Sequence, residues 1–73
     1  MTENTKKRLP GIIERIDELR DEVEKILGGE FEEYRMKGDA MSEVGRVYAT
    51  RKIRQIQEAY ASLDDASRLL ANF

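Results

Sequence analysis

The chain has 73 residues, 38% of them charged, a net charge of −2, and neither cysteine nor histidine. A chain this short buries only roughly 60% of the surface its unfolded form exposes. With no disulfide and no sulfur- or imidazole-bound metal to reinforce it, self-association is the expected remedy. The same two absences exclude thiolate nucleophiles, Ser-His and Cys-His pairs and the usual zinc sites.

Residues 1–9 carry a basic cluster, Lys6, Lys7 and Arg8, with no apolar run of seven or more behind it, so no secretory signal is expected there. No stretch approaches the roughly 20 apolar residues of a membrane span. The expectation is a cytoplasmic protein without membrane contact, with a flexible basic N-terminus at 1–9 and a single helical domain at 10–73. Charge is segregated along the chain. Residues 10–34 hold nine acids and three bases, whereas residues 35–54 hold six bases and two acids.

Pro10 suits the first turn of a helix, and Glu14, Asp17 and Glu18 follow where the helix dipole favours acids, which places the first helix start near residue 10. Leu9, Ile12, Ile13, Ile16, Leu19, Val23, Ile26 and Leu27 then recur at three-and-four spacing, the mark of one helical face. Gly28-Gly29 is the obvious stop signal, because glycine caps helix C-termini and costs about 1 kcal/mol inside a helix. Yet Phe31 and Tyr34 return to the same side only if the helix runs on through the glycines, straight or kinked, and continuation is the preferred reading.

Gly38-Asp39 makes the better turn, Gly38 closing the first helix and Asp39 capping the second through the N–H of Met41 or Ser42. The second stripe reads Met41, Val44, Tyr48, Ala49, Ile53, Ile56, Tyr60, Leu63, Ala66, Leu70 and Phe73. It passes through Ser62-Leu-Asp-Asp65, which resembles a capping box, so one continuous helix is expected there rather than a new start. Helices of about 28 and 32 residues, about 42 and 48 Å at 1.5 Å per residue, form arms of matched length.

Several constellations bear on function. Glu14, Asp17, Glu18, Asp21, Glu22 and Glu24 lie opposite the apolar stripe, where a solvated face is the plain reading. Inward-facing carboxylates would suit a divalent cation, but the histidine that usually accompanies them is missing. Because Glu14/Glu18 and Glu18/Glu22 repel at i,i+4, this face is not tuned for helix stability alone, and Glu14, Asp17, Glu18 and Asp21 are the candidates for docking a basic partner.

Arg35, Lys37, Arg46, Arg51, Lys52 and Arg54 form a basic segment that does not converge on a helical projection. Folding at residues 38–39 sets it against Glu24, Glu30, Glu32 and Glu33, so charge pairing between the arms is the expected use. The alternative is nucleic-acid binding through Lys6, Lys7, Arg8, Arg46, Arg51 and Arg54. Gly45 and Ala49 would let the helices approach closely, Met36 and Val47 point away from both stripes, and Tyr34, Tyr48 and Tyr60 read as core rather than as stacking platforms. Gly28-Gly29 follows a helix and therefore cradles no phosphate.

The sequence thus predicts an all-α antiparallel two-helix hairpin. Its stripes, each close to half the helix circumference, are too wide for one partner helix, so two copies should form a four-helix bundle. The core of that homodimer is expected at Ile16, Leu19, Val23, Leu27, Tyr34, Tyr48, Ile53, Ile56, Tyr60, Leu63 and Leu70. The expected function is that of a non-enzymatic interaction protein, a regulator, adaptor or inhibitor with an unidentified protein partner and no metal or cofactor.

Overall fold

The computed structural model describes all 73 residues. Helix α1 spans Glu3–Lys37, a short 3₁₀ turn spans Gly38–Ala40, and helix α2 spans Glu43–Ala71. No helix is long and apolar enough to cross a membrane.

Helix α1 begins at Glu3, well before the expected start at residue 10. The reason is a local cap: Thr2 has an extended backbone, and its side chain accepts from the Thr5 N–H at 3.1 Å. Glu3 adds a negative charge in the first turn, where the dipole favours it. Pro10 therefore lies inside the helix, where it has no N–H to offer the Lys6 carbonyl.

The helix then runs on through Gly28 and Gly29, as the stripe requires, with no positive φ at either. Tyr34 returns to the helix interface half-buried, whereas Phe31 sits at its edge, 45% exposed. The turn falls where expected but closes differently. Gly38 keeps a right-handed conformation (φ −55°, ψ −40°) instead of a left-handed cap, and the Met41 N–H donates to its carbonyl at 3.3 Å. Ser42, not Asp39, caps α2 by accepting from the Gly45 N–H at 3.1 Å. Gly45 consequently lies against Ser42 Oγ and Met41 Cβ in its own entry turn, so its small size serves the turn and not an approach to α1. No second start appears at Ser62, and α2 is continuous to Ala71.

Three pairings join the arms: Asp17 with Ser67, Arg20 with Asp64, and Glu30 with Lys52. Their residue numbers add to 84, 84 and 82, which defines an antiparallel hairpin with a constant register. The half-buried residues of α1 are Leu9, Ile13, Ile16, Arg20, Val23, Leu27, Glu30 and Tyr34 along the seam, with Asp17 beside them. The seam residues alternate at four and three, the 3.5-residue repeat of a coiled coil. Across from them lie Ile53, Ile56, Tyr60, Leu63, Ser67 and Leu70 at the same repeat. The interior is thin: Ile53 and Ser67 alone are buried, each 8% exposed.

The arms are not equal. At this register Phe73 lies level with about residue 11, so the first eight residues of α1 extend past α2 by about 12 Å. The hairpin is a rod of 56 × 15 × 13 Å, with a radius of gyration of 16.9 Å against about 11 Å for a compact chain of this length.

Gly28 and Gly29 have nothing within 4 Å of where a Cβ would sit. Gly28→Ala and Gly29→Ala should therefore each stabilise the fold by up to about 1 kcal/mol through helix propensity alone, read as a rise in thermal or urea midpoint with unchanged helical circular dichroism.

Candidate functional site

The heptad seam places polar residues at positions a coiled coil normally gives to apolar ones. Arg20, half-buried in mid-seam, reaches across to Asp64, its Nη1 donating to Oδ1 at 3.1 Å. On its own helix it lies 3.5 Å from Asp17 Oδ1 and 3.9 Å from Asp21 Oδ1. The Ser67 hydroxyl donates to Asp17 Oδ1 at 2.7 Å, and Arg68 pairs with the other oxygen of Asp64 at 3.0 Å. No buried polar side chain is left without a partner. Burial works against the Arg20 charge, but Asp17 foremost, and then the hydrogen bond to Asp64, outweigh it and hold its pKa above the ordinary value. Arg20 is therefore a fixed charge near neutral pH.

Two open depressions flank this node. One, at the open end of the hairpin, is lined by Pro10, Ile13, Ala71 and all four candidate acids, Glu14, Asp17, Glu18 and Asp21. Helical spacing gathers them, since 14, 17, 18 and 21 fall on adjacent rows of one face. They are not equivalent. Asp17 and Asp21 are engaged by Arg20 and Ser67, whereas Glu14 and Glu18 make no ion pair. No group of three or more acids is placed to hold a metal ion.

The second depression lies near the turn and is lined by Glu43, Arg46, Val47, Thr50, Arg51 and Arg54. These three arginines, expected to diverge, come together because Arg46, Thr50 and Arg54 share a row at four-residue spacing, and the long Arg51 side chain reaches in from the next row. The Thr50 hydroxyl donates to the Arg46 carbonyl at 2.7 Å. None of the three forms an ion pair.

Cross-arm charge pairing is therefore much sparser than expected near the turn. Lys52 alone reaches across, to Glu30 at 3.1 Å, while Glu32 pairs with Arg35 and Glu33 with Lys37 on their own helix. Short-range i,i+3 and i,i+4 geometry outcompetes the partner helix. Lys6, Lys7 and Arg8 lie in the α1 overhang, about 40 Å along the rod from the arginines near the turn. The two halves of the basic constellation do not meet within one chain.

Of the expected core residues, Ile16, Val23, Leu27, Tyr34, Ile53, Ile56, Tyr60, Leu63 and Leu70 line the seam between the arms. Leu19 and Tyr48 do not, at 50% and 66% exposed. Met36 and Val47 point outward as expected. Arg20, Asp64 and Ser67 were invisible to a search for apolar stripes. The strict four-three alternation through Ile13, Ile16, Val23 and Leu27 lands on Arg20 and Glu30, and that through Ile56, Tyr60, Leu63 and Leu70 lands on Ser67, whereas Asp64 lies off both rows.

Ser67→Ala removes a nearly buried hydroxyl that bonds a carboxylate, and should lower stability by about 1 kcal/mol, a melting-point drop of about 4–8 °C for a domain of this size. No protein-family model matches this chain, and no curated protein or solved structure matches it either.

Proposed function

We propose that this chain is a non-enzymatic interaction protein that works as a homodimer and docks a basic protein segment on the acidic depression at its open end. The observation that carries this reading is the gathering of Glu14, Asp17, Glu18 and Asp21 around Pro10, Ile13 and Ala71. Asp17 and Asp21 are held in place by the node, while Glu14 and Glu18 offer unpaired carboxylates. Fixed and free acids beside an apolar floor suit a partner whose lysines or arginines alternate with small apolar side chains.

Glu14→Gln with Glu18→Gln touches neither the seam nor the node. In a pull-down from the native host, the intact chain should capture a basic protein that this double variant binds about tenfold more weakly, a difference of roughly 1.4 kcal/mol. Equal capture by both forms would sink the acidic-docking reading.

A second reading is favoured by one observation, the unpaired Arg46, Arg51 and Arg54 around a single groove: a dimer that holds nucleic-acid phosphates. Three phosphate contacts give a slope of about −3 in log affinity against log salt for duplex DNA. Fluorescence anisotropy with a labelled duplex measures it, and no binding at low salt removes this reading.

A further inference from the structure

Beside the seam, α1 carries a second apolar row at strict seven-residue spacing. It consists of Ile12, Leu19 and Ile26, which are 40%, 50% and 56% exposed although large and apolar. In an antiparallel hairpin this row stands beside the matching flank of α2, which carries Ala59, Ala66 and Phe73 at the same spacing. The register pairs Ile26 with Ala59, Leu19 with Ala66 and Ile12 with Phe73. Ile26 and Ala59 indeed line one shallow groove together with Val23 and Ile56. The opposite flank is polar or small at most of these levels, with Asp17, Glu24, Asp64 and Gln57.

Building on the homodimer reading, we infer that a second copy of this chain covers the Ile12/Leu19/Ile26 flank, with a two-fold axis through the Leu19/Ala66 layer and the turns at opposite ends of the bundle. Three observations identify that occupant. The first is symmetry: the α1 row is palindromic about Leu19, with Ile12 and Ile26 seven residues to either side, and the facing α2 row Ala59, Ala66 and Phe73 is apolar throughout. A two-fold interface requires such a self-complementary patch.

The second is area. The chain exposes 5963 Å², against about 4,700 Å² for a compact monomer of its mass. The excess of about 1,300 Å² per copy is the scale of burial that an obligate homodimer needs, with totals above about 2,000 Å².

The third is charge, and it fixes the direction. With turns at opposite ends, residues 5 to 8 of one α1 lie level with residues 33 to 30 of the other. On the side next to the flank, the overhanging Arg8 then comes level with Glu30 of the other copy, which in one chain is held by Lys52, and the bare first turns of α1 gain a neighbouring helix. With turns at the same end, the two basic overhangs would stand together with only Glu3 of each to offset them.

Analytical ultracentrifugation and disulfide trapping test this in the full chain, which has no native cysteine to interfere. The intact protein should be a dimer at micromolar concentration. Leu19→Glu should weaken dimerisation at least a hundredfold, and Val47→Glu, at an equally exposed apolar residue off the flank, should leave it unchanged. Oxidised mixtures of Thr5→Cys chains with Glu33→Cys chains should yield mostly the mixed 5–33 disulfide, and this arm decides the direction even if Leu19→Glu unfolds. A monomeric intact protein overturns both the homodimer reading and this interface. A dimer that survives Leu19→Glu overturns the flank alone, whatever Val47→Glu does, and predominant 5–5 linkage, or a statistical mixture, overturns the direction.

Discussion

The hairpin depends on the contact of Arg20 with Asp64, backed by Asp17 and Ser67. An apolar seam repeating every seven residues is nearly as content one heptad out of register, because isoleucine and leucine pack against one another wherever they meet. A guanidinium in mid-seam is not. Displaced by a heptad it would lose Asp64 and lie against apolar side chains with only the looser contacts to Asp17 and Asp21 of its own helix, and Asp17 would lose Ser67. The node contributes little net stability at 27% side-chain exposure. Its work is to make one alignment of the arms much better than its neighbours, as buried polar residues do in coiled coils.

Fixing the register fixes everything displayed on the outside. The acidic depression exists because Ala71 closes beside Pro10 and Ile13, and the apolar flank exists because Leu19 stands level with Ala66. Both are products of the same alignment. They fall on different sides of the rod: the acids share the flank of Asp17, and Leu19 lies on the other. A copy seated on the apolar flank, as proposed, would leave the acidic depression uncovered, so the two proposed contacts would not compete for surface.

Much of this architecture was legible in the sequence because periodicity integrates over many residues. Two helices, their continuity through Gly28-Gly29 and through Ser62, and the turn at residue 38 all follow from stripes that outvote single residues. What escaped was decided by single contacts. The start of α1 rests on one threonine hydroxyl, and the cap of α2 on Ser42 in place of Asp39. The node went unseen because Arg20 and Ser67 are polar residues in an apolar row, which a hydrophobic stripe treats as gaps, and Asp17 and Asp64 stand beside that row. Glu14, Asp17, Glu18 and Asp21 line one depression, but which of them are free and which engaged depended on Arg20. The arginines near the turn were misjudged because a helical projection places Cα positions, while the reach of a long side chain covers a neighbouring row.

Pro10 has a consequence for motion. It stands at the base of the α1 overhang, where the helix leaves the support of α2, and it removes the rung that would tie the Lys6 carbonyl to the turn above. Seven residues beyond it hold together by local hydrogen bonds only, too few for a stable isolated helix. By length and lack of cross-arm support, this arm stands at the low end of the molecule's range of local stabilities. Lys6, Lys7 and Arg8 ride on it, so a helix that settled against them would add helical stability that the arm alone does not hold.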